Sequence, residues 1–359
     1  MLTEKRPLRV LAWPSGSRQE LNPYVRLMYS AFVPPAAILM AFRPLQLRVP
    51  AADVFHVHWP EGIFNGKMGG IAPLVVLKAA RVLMTARRIR RYTGLVALTA
   101  HNTMPHMQLA GWRRTLWQIY HSCLLRETGL LVGLSEGGLA AFRAMHPAAA
   151  TIPTCVIPHP HYKTIYPTPP SRHAARQQLG LPVDNFIVGM IGSMRPSKQI
   201  GAAIRAFRQT ASAHETLLVA GSCEDDLWND LTQAAGGDQS VRLQRGSLSD
   251  QKLATAFGAI DVCLLNQDTV LNSGTALLAL SFGVPIIAPA AGALPDLKEF
   301  CGESWVSLFS TPLTSTALRQ LLDTIPRGDG QSCGALDGLA PDRLSADLLA
   351  RFYQSHAPG

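Results

Sequence analysis

The run Val270-Leu-Asn-Ser-Gly-Thr-Ala-Leu-Leu-Ala-Leu-Ser-Phe-Gly-Val-Pro-Ile-Ile-Ala-Pro289 carries a turn, a helix and a strand in twenty residues. Asn272-Ser273-Gly274 is a small polar turn that doubles as a helix start. Thr275 to Phe282 is an apolar helical stretch, Gly283 stops it, and Val284 to Ala288 reads as a short buried strand. Just upstream, Asp261-Val-Cys-Leu-Leu265 reads as another such strand. Strand, loop, glycine-bearing helix start and strand place free backbone N–H groups and the positive end of a helix at one edge of a parallel sheet. That geometry holds a phosphate.

Working outward, a second series of the same kind fills the C-terminal half. Strands are expected at Phe186–Ile191, Thr216–Ala220 and Val241–Leu243, with helices near 198–212, 225–235 and 249–258. Amphipathic helices near 314–325 and 342–355 close the chain. The N-terminal half alternates likewise. Strands are expected at Leu8–Ala12, Ala52–His58, Gly94–Ala100, Gly129–Leu134 and Thr154–Ile157. Asn22-Pro23-Tyr24 opens a helix running through Phe32, with proline near its first turn, and another fills roughly 70–92. Such alternation specifies parallel, doubly wound sheets. Residues 163–182 are rich in proline and polar side chains and read as a linker. The expected α/β architecture is two Rossmann-like domains facing each other across a cleft, residues 1–165 and 166–340, with a C-terminal helix in 341–359.

At 359 residues, 47% hydrophobic and 16% charged, the chain has enough apolar material for two cores. No hydrophobic region follows the N-terminal Met1-Leu-Thr-Glu-Lys-Arg, so no signal peptide is read, and no apolar stretch is long enough to span a membrane. Six cysteines are scattered without Cys-x-x-Cys or His/Cys clustering, which fits reduced thiols in a cytosolic protein better than disulfides or zinc. Charge is uneven. Residues 1–165 carry 19 Lys and Arg against 6 Asp and Glu, a balance of +13, whereas residues 166–359 carry 14 against 18, a balance of −4. The first half therefore calls for an anionic surface, nucleic acid or membrane.

Lys67 to Arg91 holds seven Lys and Arg and no acid, interleaved with Leu74, Leu77, Val82, Leu83, Met84 and Ile89. Trp112 and Trp117 stand beside Arg113 and Arg114. Basic amphipathic helices with interfacial aromatics lie on anionic membranes; the alternative is a sheet-packing helix with a solvated basic face. A nucleic-acid reader is suggested by charge alone and has no motif to support it.

Gly192-Ser-Met-Arg195-Pro-Ser-Lys198 lies where a strand turns into a helix, and its two cations suit phosphate oxygens, Arg195 as a planar fork and Lys198 as a point charge. Two Rossmann-like halves, this Gly-x-x-Arg-Pro-x-Lys turn and the helix start near Ser273 resemble a GT-B glycosyltransferase. The strings Asn22-Pro-Tyr, Asp53-Val-Phe-His-Val-His-Trp-Pro-Glu61, Thr99-Ala-His-Asn102 and Leu271-Asn-Ser-Gly274 are similar to bacterial exopolysaccharide glycosyltransferases, most of all to the β-mannosyltransferases that complete the xanthan-type repeating unit.

The resemblance implies transfer of mannose from GDP-mannose to an oligosaccharide carried on a lipid diphosphate, by a peripheral protein at the cytoplasmic face of the inner membrane. It implies no cofactor and no metal ion, and no Asp-x-Asp follows a donor-side strand. Gly192, Arg195, Lys198, Asn272, Ser273, Gly274 and Thr275 would hold the donor diphosphate. Many retaining GT-B enzymes carry two glutamates eight residues apart around this helix start, where this chain has Val270 and Leu278. That departure favours inversion. The alternatives are a retaining transferase using a UDP-sugar, or a nucleotide-sugar epimerase of the same fold.

Inverting transfer needs a base for the acceptor hydroxyl. Glu61 or His58 is expected in that role, from strand-end residues that reach the carboxyl edge of a sheet, with His56 a core histidine. His101 also lies at a strand end, with Asn102 and His106 near it. His101, Asn102, His159 and His161 are expected to line the acceptor side or the cleft, His159 and His161 equally to be structural.

Overall fold

Apolar runs without polar alternation make strands that are covered on both faces, and both halves of the chain are built from them. The computed structural model describes residues 6–14, 23–64, 71–102, 109–267, 271–325 and 333–356. The chain divides into two units, one of residues 1–160 with 339–359 and the other of residues 161–338.

The first unit runs β1 (Leu8–Trp13), α1 (Pro23–Met28), β2 (Ala37–Ala41), β3 (Val54–Val57), α2 (Ala72–Arg91), β4 (Leu95–Thr99), α3 (Trp112–Glu127), β5 (Leu130–Gly133), α4 (Glu136–Met145) and β6 (Thr154–Val156). Its six strands are parallel in the order β2-β1-β3-β4-β5-β6. Strands β3, β4 and β5 are buried at every position. The order reverses between β1 and β3, and the carboxyl ends of β3 and β4 carry His58 to Glu61 and Ala100 to Asn102. Ligands of doubly wound sheets bind at such a reversal.

The second unit runs α5 (Arg172–Leu179), β7 (Phe186–Ile191), α6 (Ile200–Thr210), β8 (Glu215–Gly221), α7 (Asp225–Ala235), β9 (Val241–Arg245), α8 (Asp250–Ala259), β10 (Val262–Leu264), α9 (Gly274–Ser281), β11 (Ile286–Pro289), α10 (Leu294–Cys301), β12 (Val306–Phe309) and α11 (Ser315–Thr324). Its parallel sheet has the order β12-β11-β10-β7-β8-β9, reversing between β7 and β10. Ile200, Ala203, Ile204 and Phe207 recur at helical spacing on α6 and are buried with Val188, Leu217 and Val219 of the sheet. Truncating a buried phenylalanine such as Phe207 to alanine costs about 3–5 kcal/mol. Gly221 is required by a close approach: its φ is +152°, and a Cβ there would lie 1.9 Å from the Gly192 carbonyl oxygen. The last helix, α12 (Pro341–His356), belongs to the first unit. There Ser345 donates to the Met28 carbonyl and accepts the Ala31 N–H, both at 2.9 Å.

Several sequence expectations are corrected. The 163–182 stretch contains α5, capped by Ser171, whose hydroxyl accepts the Ala174 N–H. Its polarity serves packing: Arg176 is buried, donates to the Ala259 carbonyl at 3.0 Å and pairs with Asp261 at 2.6 Å, while Asp261 also accepts the Ile187 N–H. Helix α1 ends at Met28, not Phe32, because residues 29–31 turn so that the chain enters β2. Strand β2 lies at the sheet edge between Pro34-Pro35 and Arg43-Pro44, too short to show a period. Helices α3, α4 and α10 and strand β12 are further elements that the sequence reading did not assign. Asn22, Lys67, His106 and Val270 lie outside the described residues.

Candidate functional site

In the second unit, β7 ends at Ile191 and the chain turns through Gly192 (φ +111°) into a short 3-10 turn, Pro196–Lys198, before α6. The Lys198 N–H donates to the Arg195 carbonyl at 3.0 Å, which closes that turn and directs the lysine inward. A pocket opens at the sheet reversal, lined by Gly192, Lys198, Asn266, Gln267 and Thr275 over an apolar floor of Met190, Ile191 and Leu264. Thr275 stands in the first turn of α9, whose Ser273 cap accepts the Ala276 N–H at 3.2 Å. Lysine, glycine turn and helix start thus converge on one cavity.

Lys198 has no carboxylate partner among the described residues. Burial holds its pKa below the usual lysine range, with Arg195 adding to the effect and Cys263 opposing it. A partly desolvated ammonium facing a pocket with helix-start N–H groups is a site for an anion. Arg195 is exposed and is not among the residues lining the cavity. Asn272, Ser273 and Gly274 form the turn leading to Thr275, and Tyr162 covers it, since a Cβ at Gly274 would lie 3.4 Å from the Tyr162 hydroxyl. Sequence reasoning missed Asn266 and Gln267; their position directly after β10, at the reversal, is the signal that marks them. Leu278, at the departure from the retaining pattern, is a half-buried residue of α9.

In the first unit, a second pocket is lined by Trp59, Glu61, Thr99, His101, Asn102, Trp117 and His121. Glu61 sits in the 3-10 turn Pro60–Phe64 that follows β3. Asn102 donates to its Oε1 at 2.9 Å. Burial raises the Glu61 pKa, and the Asn102 amide opposes that shift. The buried hydroxyl of Tyr120, near enough to feel the Glu61 charge, has no hydrogen-bond partner among the described residues. A carboxylate with a raised pKa at a strand end is suited to taking a proton.

Behind this pocket runs a chain of buried side chains. Thr99 Oγ1 meets His56 Nε2 at 2.7 Å, and His56 Nδ1 meets the Tyr29 hydroxyl at 2.7 Å. That hydroxyl meets His58 Nε2 at 2.8 Å, and His58 Nδ1 meets His101 Nε2 at 3.0 Å. The donors and acceptors can run in either direction with every ring neutral. Burial drives all three histidine pKa values down, His58 to about 3. His58 is fully buried with both ring nitrogens engaged, so it is not placed to touch a substrate; it supports His101, which stacks on Trp59 at 4.1 Å. Of the two candidate bases, Glu61 alone lines the pocket, with His101 and Asn102.

His159 belongs to the first unit, packs on Tyr24 at 4.8 Å and donates from Nδ1 to the Pro160 carbonyl at 2.8 Å. His161 belongs to the second unit, where its Nδ1 accepts the Lys163 N–H at 3.3 Å. Both have structural partners.

No family model matches the chain. It is 26% identical over 314 residues to a GDP-mannose:glycolipid 4-β-D-mannosyltransferase of Xanthomonas campestris pv. campestris, covering 86% of this chain and 82% of that protein. Among solved structures it is similar to Anabaena Alr3699/HepE in complex with UDP and glucose, with a TM-score of 0.61, 19% identity and 97% of each chain covered. It is also similar to a sucrose-phosphate synthase from Thermosynechococcus elongatus, with a TM-score of 0.63, 18% identity and 84% of this chain and 73% of that one covered. These likenesses show a GT-B fold, two α/β units each with a six-stranded parallel sheet. Fold and curated relative together support a glycosyltransferase.

Proposed function

We propose that the chain transfers mannose from GDP-mannose, with inversion, to an oligosaccharide carried on a lipid diphosphate during exopolysaccharide assembly. The observation that carries the reading is Lys198, a half-buried cation without a carboxylate partner among the described residues, in the same cavity as the α9 start. Departure of a nucleoside diphosphate develops negative charge that these groups meet in place, with no metal ion required of the protein. Arg195 and the turn Asn272-Ser273-Gly274 would complete the diphosphate site. Glu61 would accept the acceptor hydroxyl proton, with Asn102 and His101 binding the acceptor sugar. Mannose and the glycolipid acceptor are supported by the name of the X. campestris relative. A UDP-sugar donor is the second reading, supported by the UDP-bound Anabaena neighbour.

Placement on a membrane rests on helices α2 and α3. Val76, Leu77 and Met84 of α2 are about half exposed, and Arg87, Arg88, Arg90 and Arg91 follow them. Trp112 and Ile119 add exposed apolar surface on α3, which packs beside α2. An apolar patch bordered by arginines fits an anionic leaflet. No helix among the described residues is long and apolar enough to cross a membrane. In this reading the protein is peripheral, at the cytoplasmic face of the inner membrane.

The test is donor hydrolysis and melting-temperature shift across GDP- and UDP-sugars, with co-sedimentation on phosphatidylglycerol vesicles. GDP-mannose giving the largest shift and salt-released vesicle binding support the reading. A UDP-sugar giving the largest shift selects the second. Absence of any shift or hydrolysis across the panel defeats both.

A further inference from the structure

The buried side chains behind the Glu61 pocket are joined end to end within the first unit. Tyr29 follows α1, His56 lies in β3 with His58 just beyond it, and Thr99 ends β4 with His101 just beyond. Period-two alternation turns His56 and His58 to one face of the sheet. The Tyr29 hydroxyl stands between them, 2.7 Å from His56 Nδ1 and 2.8 Å from His58 Nε2. Their other nitrogens reach β4 and its end: His56 Nε2 is 2.7 Å from Thr99 Oγ1, and His58 Nδ1 is 3.0 Å from His101 Nε2. Thr99 and His101 both line the Glu61 pocket, so the chain begins and ends at one wall.

This geometry constrains where the protons lie. Tyr29, His56, His58 and Thr99 are at most 5% exposed, so a group left unpaired here costs its full desolvation. Burial keeps each imidazole neutral, with one N–H and one bare nitrogen. The Tyr29 hydroxyl has a single proton, donates to one histidine only, and must accept from the other. Suppose Tyr29 donates to His58 Nε2. His58 then donates from Nδ1 to His101 Nε2, which leaves the His101 proton on Nδ1. On the other side His56 donates from Nδ1 to Tyr29 and accepts from Thr99. All three rings carry the proton on Nδ1. If Tyr29 donates to His56 instead, every bond reverses and all three carry it on Nε2. Any mixed arrangement strands a donor or sets two lone pairs face to face.

We propose that Tyr29 is a positioning residue of the pocket: its single proton holds His56, His58 and His101 in one shared tautomer, and so sets which nitrogen of His101 carries hydrogen at the pocket wall. The ligand class that reads this polarity is a sugar, whose hydroxyl groups both donate and accept. A hydroxyl at His101 must turn its proton or its lone pair to the ring according to the tautomer that Tyr29 imposes. That turn decides what the same hydroxyl offers to Glu61, whose carboxylate is held by Asn102 next to His101. The role assigned to the ligand rests on the reading of this pocket as the acceptor site; the shared tautomer rests on the hydrogen bonds alone.

The experiment uses the full-length protein, free of ligand and isotopically labelled in its histidine nitrogens, near neutral pH. Long-range proton–nitrogen spectra distinguish the two neutral tautomers of each ring. The expected result is one tautomer common to His56, His58 and His101 in the wild type, and unlike or averaged tautomers at His56 and His58 in Tyr29→Phe. In GDP-mannose hydrolysis, with water in place of the acceptor hydroxyl, Tyr29→Phe should lower kcat by about 10-fold, the worth of one hydrogen bond offered with the wrong polarity. The donor KM and the melting-temperature shift with GDP-mannose should stay as in the wild type. Unlike tautomers or a charged ring in the wild type overturn the proposal. So does a Tyr29→Phe variant that keeps the shared tautomer, or one that keeps the wild-type kcat. The wild-type spectra decide the coupling by themselves, even where Tyr29→Phe fails to fold. A shared tautomer in a protein that responds to no nucleotide sugar supports the coupling and defeats the transfer reading, which keeps the two failures apart.

Discussion

The side-chain amide of Asn266 donates to the carbonyl oxygen of Gln199 across 3.0 Å, and the same oxygen accepts the Ala203 N–H that opens α6. Gln199 adopts a left-handed conformation (φ 47°, ψ 36°), one that costs a residue with a Cβ about 1–2 kcal/mol. Asn266 therefore holds the strained residue directly after Lys198.

From this, Gln199→Gly should raise stability by up to about 1 kcal/mol, the strain relief less the entropy cost of glycine. Asn266→Ala should lower both stability and nucleotide-sugar affinity. The double variant should recover part of the affinity, because glycine adopts the turn without a side-chain anchor. Thermal melts and donor titrations check this; an Asn266→Ala variant that binds donor like wild type removes Asn266 from the positioning of Lys198.

Lys198→Ala should slow transfer about 30- to 1,000-fold, corresponding to roughly 2–4 kcal/mol of lost transition-state stabilisation. Arg195→Ala should lose less, since that guanidinium is exposed outside the cavity. Single-turnover rates at saturating donor separate the two. Equal and large losses would place Arg195 on the diphosphate after closure around substrate.

For the acceptor side, Glu61→Gln should bind donor and lose transfer by about 100-fold or more. The raised pKa of Glu61 places the acid limb of kcat/KM above the ordinary carboxylate range. The Asn102 amide stabilises the carboxylate, so Asn102→Ala should raise that pKa further and move the acid limb to higher pH. A pH profile unchanged in Asn102→Ala would separate the limb from Glu61.

Buried neutral histidines make folding sensitive to acid. The folded pKa values of His58 and His121 are about 3 and that of His159 about 4, against about 6.5 in the unfolded chain. Between pH 6.5 and those values the unfolded chain binds protons that the folded chain refuses. Their stabilising effect is complete above pH 6.5 and is lost as pH falls, at up to about 1.4 kcal/mol per pH unit for each histidine. His121, stacked on Trp117 at 4.6 Å, is the simplest to replace. His121→Phe should flatten the fall in melting temperature between pH 6 and pH 4, and an unaltered slope would mean that His121 does not titrate with unfolding.

Most of the strands were legible because parallel strands covered on both faces leave unbroken apolar runs, as in Phe186–Ile191 and Asp261–Leu265; their order in the sheets was not. The Gly192–Lys198 turn and the Ser273 helix start were legible for the same reason: each interrupts such a run with residues that only a strand-to-helix turn needs. Strand β2 was hidden because five edge residues show no period. Helix α5 was hidden because Arg176 pairs with Asp261, 85 positions away in sequence, so a packed helix had the composition of a linker. The role of His58 was hidden too. Strand alternation places His56 and His58 on one face, but only the Tyr29 hydroxyl between them shows that both are committed to one another and not to a ligand.

Helix α12 has a consequence for how the chain is made. The first unit needs this helix: Ser345 bonds the end of α1, the Tyr353 hydroxyl donates to the Ala36 carbonyl, and Phe352 packs on His56 at 5.0 Å. Yet the residues that complete it are translated roughly 200 positions after Pro160. At about 5–20 residues per second the ribosome takes on the order of 10–40 s to supply them. During that interval α1 and the histidine chain lack the helix that packs on them, while the second unit is being synthesised. The unit that begins first is therefore the one that finishes last.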